Sequence, residues 1–262
     1  MTRQSAERPL FRTRRGSKAR GSSVVLHAHD EAQLIYAASG AMQVHTAYGR
    51  WLVPPQLAVW LPAGVAHRLD VLSDSDFWMI YWAPSATRNW APSKSLDRTF
   101  ALKVTPLLRE LIFAAFRANA VLDKARLVVK LILHELTEVP DAPTFLPLPS
   151  GAIGKRVAKL ALADVRHQLD IDEIASRSAT SVRTVSRLFP AETGLTFKAW
   201  RQRARIVLAI DQLSSGRSIA RVAAHVGFAS TAAFCYSFRQ VTHMTPTAFL
   251  DQSTSPADDR KR

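Results

Sequence analysis

The spacing of hydrophobic and polar residues changes twice along this chain. From about Val24 to Ala83 the apolar residues fall in short runs rich in Val, Ile and aromatics: LIYAASG, AMQVHTAYGRWLV, LAVWLP and FWMIYWAP. Gly40, Gly49, Pro54, Pro55, Pro62 and Gly64 interrupt them. Short strands broken by turns at this spacing predict a small β-barrel or jelly roll. After Pro84 the period lengthens to that of a helix. Leu107, Leu108, Leu111 and Ile112 make one stripe within 102–117, and Leu127, Val128, Leu131 and Ile132 a second within 123–137. Such apolar helical faces need a partner: either the barrel or a second copy of the chain. Residues 139–151, VPDAPTFLPLPSG, hold four prolines and read as a stiff linker at a domain boundary.

Beyond the linker the same unit occurs twice. IDEIASRSATSVRTVSRLF with ETGLTFKAW is followed by IARVAAHVGFASTAAFCYSF with VTHMTPTAF. Ser181 and Ser230, Phe189 and Phe238, Thr196 and Thr245, and Trp200 and Phe249 are offset by 49; Ile171 and Ile219, and Ala175 and Ala223, by 48. The one-residue difference falls in a turn, where insertion is tolerated. Each copy predicts helix, turn, helix. Asp170 caps the first helix with Glu173 at the capping-box position, and Ser181, Ser218 and Ser230 cap the others. Gly194 and Gly227 end helices. Val182, Val185, Leu188 and Phe189 form the buried stripe of one second helix, and Phe234, Phe238 and Val241 that of the other. A helix-turn-helix lays its second helix in the DNA major groove, whereas a plain helical bundle shows similar amphipathic faces without matched turns.

Over about its last 100 residues the sequence resembles the AraC/XylS family of bacterial transcription regulators. The resemblance is carried by Ile174-Ala175, SVRTVSRLF, ETGLTF, Ser218-Ile219-Ala220, Val226-Gly227-Phe228, the Phe234 and Phe238 pair, and Thr245-Pro246. It implies two helix-turn-helix units joined by a long helix, here Thr196 to Leu213, entering successive major-groove segments. Carried over position by position, the base readers of the first unit are Val182, Arg183, Thr184, Ser186 and Arg187. Those of the second are Thr231, Ala232, Ala233, Cys235 and Tyr236. Arg183 and Arg187 lie four apart, on one helix face, and Arg pairs bidentately with guanine. The second set has few strong base-edge donors, so the first unit is expected to carry more hydrogen-bond specificity. Pro190, where a basic residue is common in the family, is expected to end or kink the first reading helix. Arg201, Arg203, Arg205, Arg217, Arg221 and Arg239 are phosphate-contact candidates, with simple solvation as the alternative.

The charge distribution agrees with a nucleic-acid partner. The chain has 262 residues and a net charge of +14. Residues 1–20 carry 7 Lys/Arg against 1 acid, residues 21–150 carry 11 against 11, and residues 151–262 carry 17 against 9. The positive excess sits on the N-terminal tail and on the duplicated unit, as phosphate binding requires. The single cysteine, Cys235, excludes an intramolecular disulfide framework, and no apolar run reaches transmembrane length. The expected setting is the cytoplasm, with no membrane partner. The expected division is a disordered basic tail at 1–21, a cupin-like effector-binding and dimerisation domain at 22–138, the linker at 139–151, a DNA-binding domain at 152–252, and a disordered tail at 253–262.

Two further segments sharpen the N-terminal half. His27-Ala28-His29, then Gln33 and Gly40, resemble the first cupin motif, and Pro62-Ala63-Gly64-Val65-Ala66-His67 resembles the second. In metal cupins two His, a carboxylate and a further His bind the ion; His27, His29, Gln33 and His67 fall at those positions. Gln33 replaces the usual Glu and removes a negative charge, which weakens the metal reading. The expectation is therefore an effector pocket formed by His27, His29, Gln33, His67 and Trp60, with no cofactor and no catalytic residue. Tyr36, Trp51, Trp78 and Tyr81 are further candidates for an aromatic barrel interior.

Taken together, the chain reads as a sequence-specific regulator controlled by a small molecule in its barrel. The expected partners are a double-stranded DNA operator, the effector, a second copy of the chain and, for an activator, RNA polymerase. The alternatives are a metal-dependent cupin enzyme fused to a DNA-binding part, and a non-specific architectural protein.

Overall fold

The computed structural model describes residues 9–92, 94–117, 122–138, 144–242 and 244–254. The first eight residues of the expected basic tail, residues 139–143 of the linker, and residues 255–262 of the C-terminal tail lie outside the described residues.

The N-terminal half is a sandwich of two five-stranded antiparallel sheets. The strands are β1 Phe11–Lys18, β2 Ser23–His27, β3 Ala32–Ser39, β4 Met42–Thr46, β5 Gly49–Val53, β6 Leu57–Leu61, β7 His67–Val71, β8 Ser75–Trp82, β9 Phe100–Lys103 and β10 Phe145–Pro147. One sheet runs β1-β8-β3-β6-β9, the other β10-β5-β4-β7-β2. Side chains alternate faces, so β3, β6 and β8 split cleanly. Ile35, Val59, Leu61, Phe77, Met79 and Tyr81 face the second sheet, together with its Met42, Val44, Trp51 and Val53. Leu34, Tyr36, Trp60, Trp78, Ile80 and Trp82 face the other way and pack on helices. These are α2 Pro106–Arg117 and α3 Leu122–Glu135, which bury Leu108, Ile112, Val129, Ile132 and Leu133; a short α1, Pro84–Trp90, precedes them. The first sheet is thus covered on both sides, which explains the nearly continuous apolar runs. It also corrects the expected aromatic interior: Trp51 and Tyr81 point inward, while Tyr36, Trp60 and Trp78 belong to the outer, helix-covered face.

Two segments expected to lie outside the folded domains are partly ordered in strands. Part of the N-terminal basic tail is an ordered edge strand: β1 pairs with β8 from Phe11↔Trp82 to Lys18↔Ser75. Its arginines are held by rings. The Arg12 guanidinium lies 3.6 Å from the centre of the Tyr81 ring and Arg15 4.4 Å from that of Trp78, and Arg12 is ion-paired with Glu31. Charged side chains are what a sheet edge favours, so a composition that reads as disorder fits an edge strand equally well. The linker is likewise bound. β10 pairs with β5, Phe145 stacks on Trp51 with ring centroids 3.8 Å apart, and Trp200 Nε1 donates to the Pro147 carbonyl at 2.6 Å. Pro147 lacks an N–H, which only an edge strand tolerates.

The C-terminal half is helical: α4 Ala152–Ala163, α5 Ile171–Arg177, α6 Val182–Thr193, α7 Phe197–Ser214, α8 Ile219–His225, α9 Thr231–Thr242 and α10 Pro246–Thr254. Three of the four predicted caps form as the sequence indicates. Asp170 and Glu173 make a reciprocal capping box, and Ser181, Thr196 and Ser230 accept from the backbone N–H of Thr184, Ala199 and Ala233. Ser218 stands at its cap position without a side-chain hydrogen bond. α6 does not end at Pro190 but runs on to Thr193, closed by Gly194 in the left-handed region. Pro190 and Ser186 are both exposed, so the Ser186 carbonyl that loses its helical donor lies on the solvent side of the helix.

Helix α7 joins two small cores. Trp200, Ala204 and Val207 pack with Ile174, Val185 and Phe189 of the first unit; Ile206, Ile210 and Leu213 pack with Phe234, Phe238 and Phe249 of the second. Ala41 and Leu52, on the outer face of the second sheet, are buried in that second core. The barrel therefore touches the DNA-binding half through β10 and through this apolar patch. Among the described residues, no helix is long and apolar enough to cross a membrane.

Candidate DNA-binding and ligand-binding sites

Each helix-turn-helix is set by its turn. Ala179 adopts φ 51° between α5 and α6, and Gly227 adopts φ 76° at the matching place after α8. At Gly227 a Cβ would meet the Arg166 carbonyl, so the second turn needs glycine for space as well as for conformation. The buried stripes of α6 and α9 then fix which side chains remain outside. On α6, Arg183, Ser186 and Arg187 are exposed. Neither arginine forms an ion pair among the described residues. Val182 is half-buried against the first core, and Thr184 Oγ1 lies 3.0 Å from the capping Ser181 Oγ. On α9, Thr231, Ala232, Ala233 and Tyr236 are exposed, Tyr236 at 69%. Cys235 is half-buried against the second core. The free reading faces thus carry two arginines on one helix and a tyrosine with small residues on the other.

Three of the six arginines open to phosphate contact in the sequence are instead tied into the fold. Arg201 pairs with Asp164 at 2.8 Å, with both side chains about nine-tenths buried, and donates to the Leu169 carbonyl. Arg205 donates to the Val226 carbonyl and stacks on Phe228, 3.7 Å from its centre. Arg203 contacts the Phe145 carbonyl of β10. Their acceptors are distant in sequence, so no local pattern reveals them. His167, in the left-handed region at φ 55°, sits in the same neighbourhood. Burial, together with Arg201 and Arg205, lowers its pKa to about 3. It lines a small cavity of about 130 Å³ between the two halves, with Gln43 and Arg50 from the barrel and Asp164, Arg205 and Asp211 from the helices.

In the barrel the fold brings together three of the expected residues and holds a fourth beside them. His27 ends β2 and pairs with His67 at the start of β7. His29 follows in the loop before β3. One ring nitrogen from each of the three lies within 4.8 Å of the others. Their Nδ1 atoms face backbone carbonyls: His27 to Val25 at 2.9 Å, His29 to Glu31 at 2.8 Å and His67 to Val65 at 2.9 Å. That fixes the proton on Nδ1 and leaves Nε2 with its lone pair. Gln33 on β3 is next to them, its Oε1 3.2 Å from His29 Nε2, and its amide donates to the Tyr81 hydroxyl at 3.0 Å. His67 is fully buried; burial first, then the two neighbouring imidazoles, bring its pKa down to about 4, so it is neutral at pH 7. Trp60 is not part of this group. It lies on the other face of its sheet, donates Nε1 to the Leu96 carbonyl and lines an open outer groove with Ala32, Pro62 and Pro84. The sequence did not single out Arg12, whose guanidinium lies over the Tyr81 ring.

The chain matches known proteins in both halves. Residues 14–136 match the family model of an AraC-like ligand binding domain, and residues 174–252 match that of a helix-turn-helix domain. The HTH-type transcriptional regulator NimR of Escherichia coli K12 is 30% identical over 235 residues, which is 88% of this chain and 83% of NimR. RipA of Corynebacterium glutamicum is 35% identical over 39% of this chain and 31% of its own length. Among solved structures, ToxT of Vibrio cholerae O395 aligns at 13% identity over 94% of this chain and 99% of that one, with a TM-score of 0.41.

Proposed function

The chain belongs to the AraC family of helix-turn-helix transcription regulators, with an N-terminal ligand-binding domain and a C-terminal DNA-binding domain, and from that premise we propose how its parts divide the work. α6 reads bases with Arg183, Arg187 and Ser186. α9 reads shape and apolar base edges with Thr231, Ala232, Ala233 and Tyr236. Val182, Thr184 and Cys235 support these faces from their half-buried positions. A small molecule binds at His27, His29, Gln33 and His67, and its binding is felt by the DNA-binding half through β10 and through Leu52. The chain acts as a cytoplasmic regulator rather than an enzyme, and meets RNA polymerase where it activates.

A second copy of the chain is the partner we assign to the helices after the barrel. Leu107 on α2 and Leu127 and Leu131 on α3 stay 45–69% exposed after α2 and α3 have packed on the sheet. An apolar stripe of this kind on a regulator suits an isologous contact.

The observation that carries the proposal is the pair of free arginines on the exposed face of a capped second helix, in a duplicated unit fastened to a ligand-binding sandwich. Footprinting of the full chain on the DNA flanking its own gene tests it. Discrete protected segments are expected; uniform protection would point to non-specific binding instead.

A further inference from the structure

We propose that His27, His29 and His67 form a binding site for one divalent transition-metal ion of the zinc type, and that this ion is the anchor for the effector. The metal-binding part stands on the geometry alone; only the anchoring part rests on the reading of the barrel as the regulatory half.

Three observations support it. First, three imidazoles present their free nitrogens to one point, within 4.8 Å of one another. Tetrahedral Zn–N bonds of about 2.05 Å place ligand atoms ~3.3 Å apart, so small side-chain rotations close the site. Second, all three Nδ1 atoms face backbone carbonyls. Metal-bound histidines use this arrangement to fix the tautomer and aim Nε2. Third, the His67 Nε2 is fully buried and has no hydrogen-bond partner.

The chemistry of the donor set identifies the class of ion. Neutral imidazoles suit zinc, nickel, cobalt, copper and iron, and among the described residues no carboxylate oxygen joins the group to favour calcium or magnesium. Gln33 in place of a carboxylate leaves the ion's full double positive charge uncompensated. Three protein nitrogens also leave a coordination position open. His27 and His29 are only half-buried, so that position is reached from the barrel mouth. The effector is therefore expected to carry an anionic donor, such as a carboxylate, that completes the ion's coordination.

The test uses the full chain stripped with a chelator and titrated with Co²⁺, whose visible absorption reports four- or five-coordinate geometry. One equivalent per chain is expected, displaced by Zn²⁺. His27→Ala and His29→Ala, both at half-exposed positions, should each weaken binding by on the order of 100-fold or more. His67→Ala is made in parallel, and His134→Ala and His225→Ala should bind as wild type. Absence of the cobalt bands, or equal binding by the His27 and His29 variants with their fold intact by circular dichroism, overturns the metal site. The same variants are then assayed for operator occupancy with and without Zn²⁺. Metal binding that leaves occupancy unchanged in wild type overturns the anchoring role and leaves the metal site standing.

Discussion

Arg187→Ala separates base reading from every other role that an arginine plays here. Arg187 is exposed and makes no ion pair among the described residues, so its removal leaves no buried partner behind. The melting temperature should stay within the scatter of surface substitutions. A bidentate arginine–guanine contact contributes about 1–3 kcal/mol of discrimination, which corresponds to roughly 5- to 150-fold in specific affinity. Loss of a mere phosphate contact would weaken all sequences alike. Arg201→Ala provides the contrast. It strips the partner from the buried carboxylate of Asp164 and an N–H from the Leu169 carbonyl. That should cost about 3–5 kcal/mol of stability and lower binding to every sequence together. The assay is equilibrium binding to a library of operators carrying single base-pair changes, at one fixed salt concentration, with thermal melts of each variant. Relaxed preference at one position is the expected signature of Arg187→Ala. Uniform weakening across the library would assign Arg187 to the backbone, and a large drop in melting temperature would show that it serves the fold.

Trp200→Phe removes the donor to the Pro147 carbonyl and should cost about 1–3 kcal/mol; an unchanged denaturant midpoint would show that this contact does not fasten β10. Leu127→Asp and Leu131→Asp should convert a dimer to a monomer in light scattering with little change in melting temperature, and a persistent dimer would place the interface elsewhere. His167 has a folded pKa of about 3 against an ordinary 6.5, so as pH falls the unfolded chain takes up the proton first. Its contribution to stability is whole above about pH 6.5 and is lost as pH drops toward 3. His167→Asn, which tolerates the left-handed backbone, should flatten that decline, and an unchanged pH profile would contradict the assignment. Cys235→Ala should disturb base preference less than Arg187→Ala, because the thiol is half-buried; the reverse order would overturn the proposed asymmetry between α6 and α9.

The parts of the fold legible in the sequence are those set by local chemistry. Asp170 with Glu173, Ser181, Ser230 and Gly194 mark helix ends because a cap acts over three or four residues, and the repeat offset of 49 displays both units. What escaped reading depends on distant partners. β1 looked disordered because the rings that hold Arg12 and Arg15 lie on β8, more than sixty positions away. Trp60 was placed with the histidines because an unbroken apolar run does not say which face is inner. Both faces of that sheet are buried, and only the register Leu34↔Trp60 against Gln33↔Leu61 decides it. Pro190 was expected to end or kink α6; the helix runs past it to Thr193, on a solvent-exposed side where a carbonyl without a helical donor costs little. The motif around His27 and His67 was visible, but the shared focus of three ring nitrogens required the β2–β7 pairing.

The most direct test of the central claim is selection of duplexes from a random pool by the full chain, followed by sequencing. Two capped units joined by one helix predict a motif of two blocks about one helical turn apart, near 10 base pairs. The block read by α6 should hold the more strictly fixed guanine positions. Enrichment of such a two-block motif, lost from one block in Arg183→Ala with Arg187→Ala, is the predicted result. A pool that stays random, while binding remains tight and salt-dependent, would contradict the account and mark the chain as a non-specific DNA-binding protein.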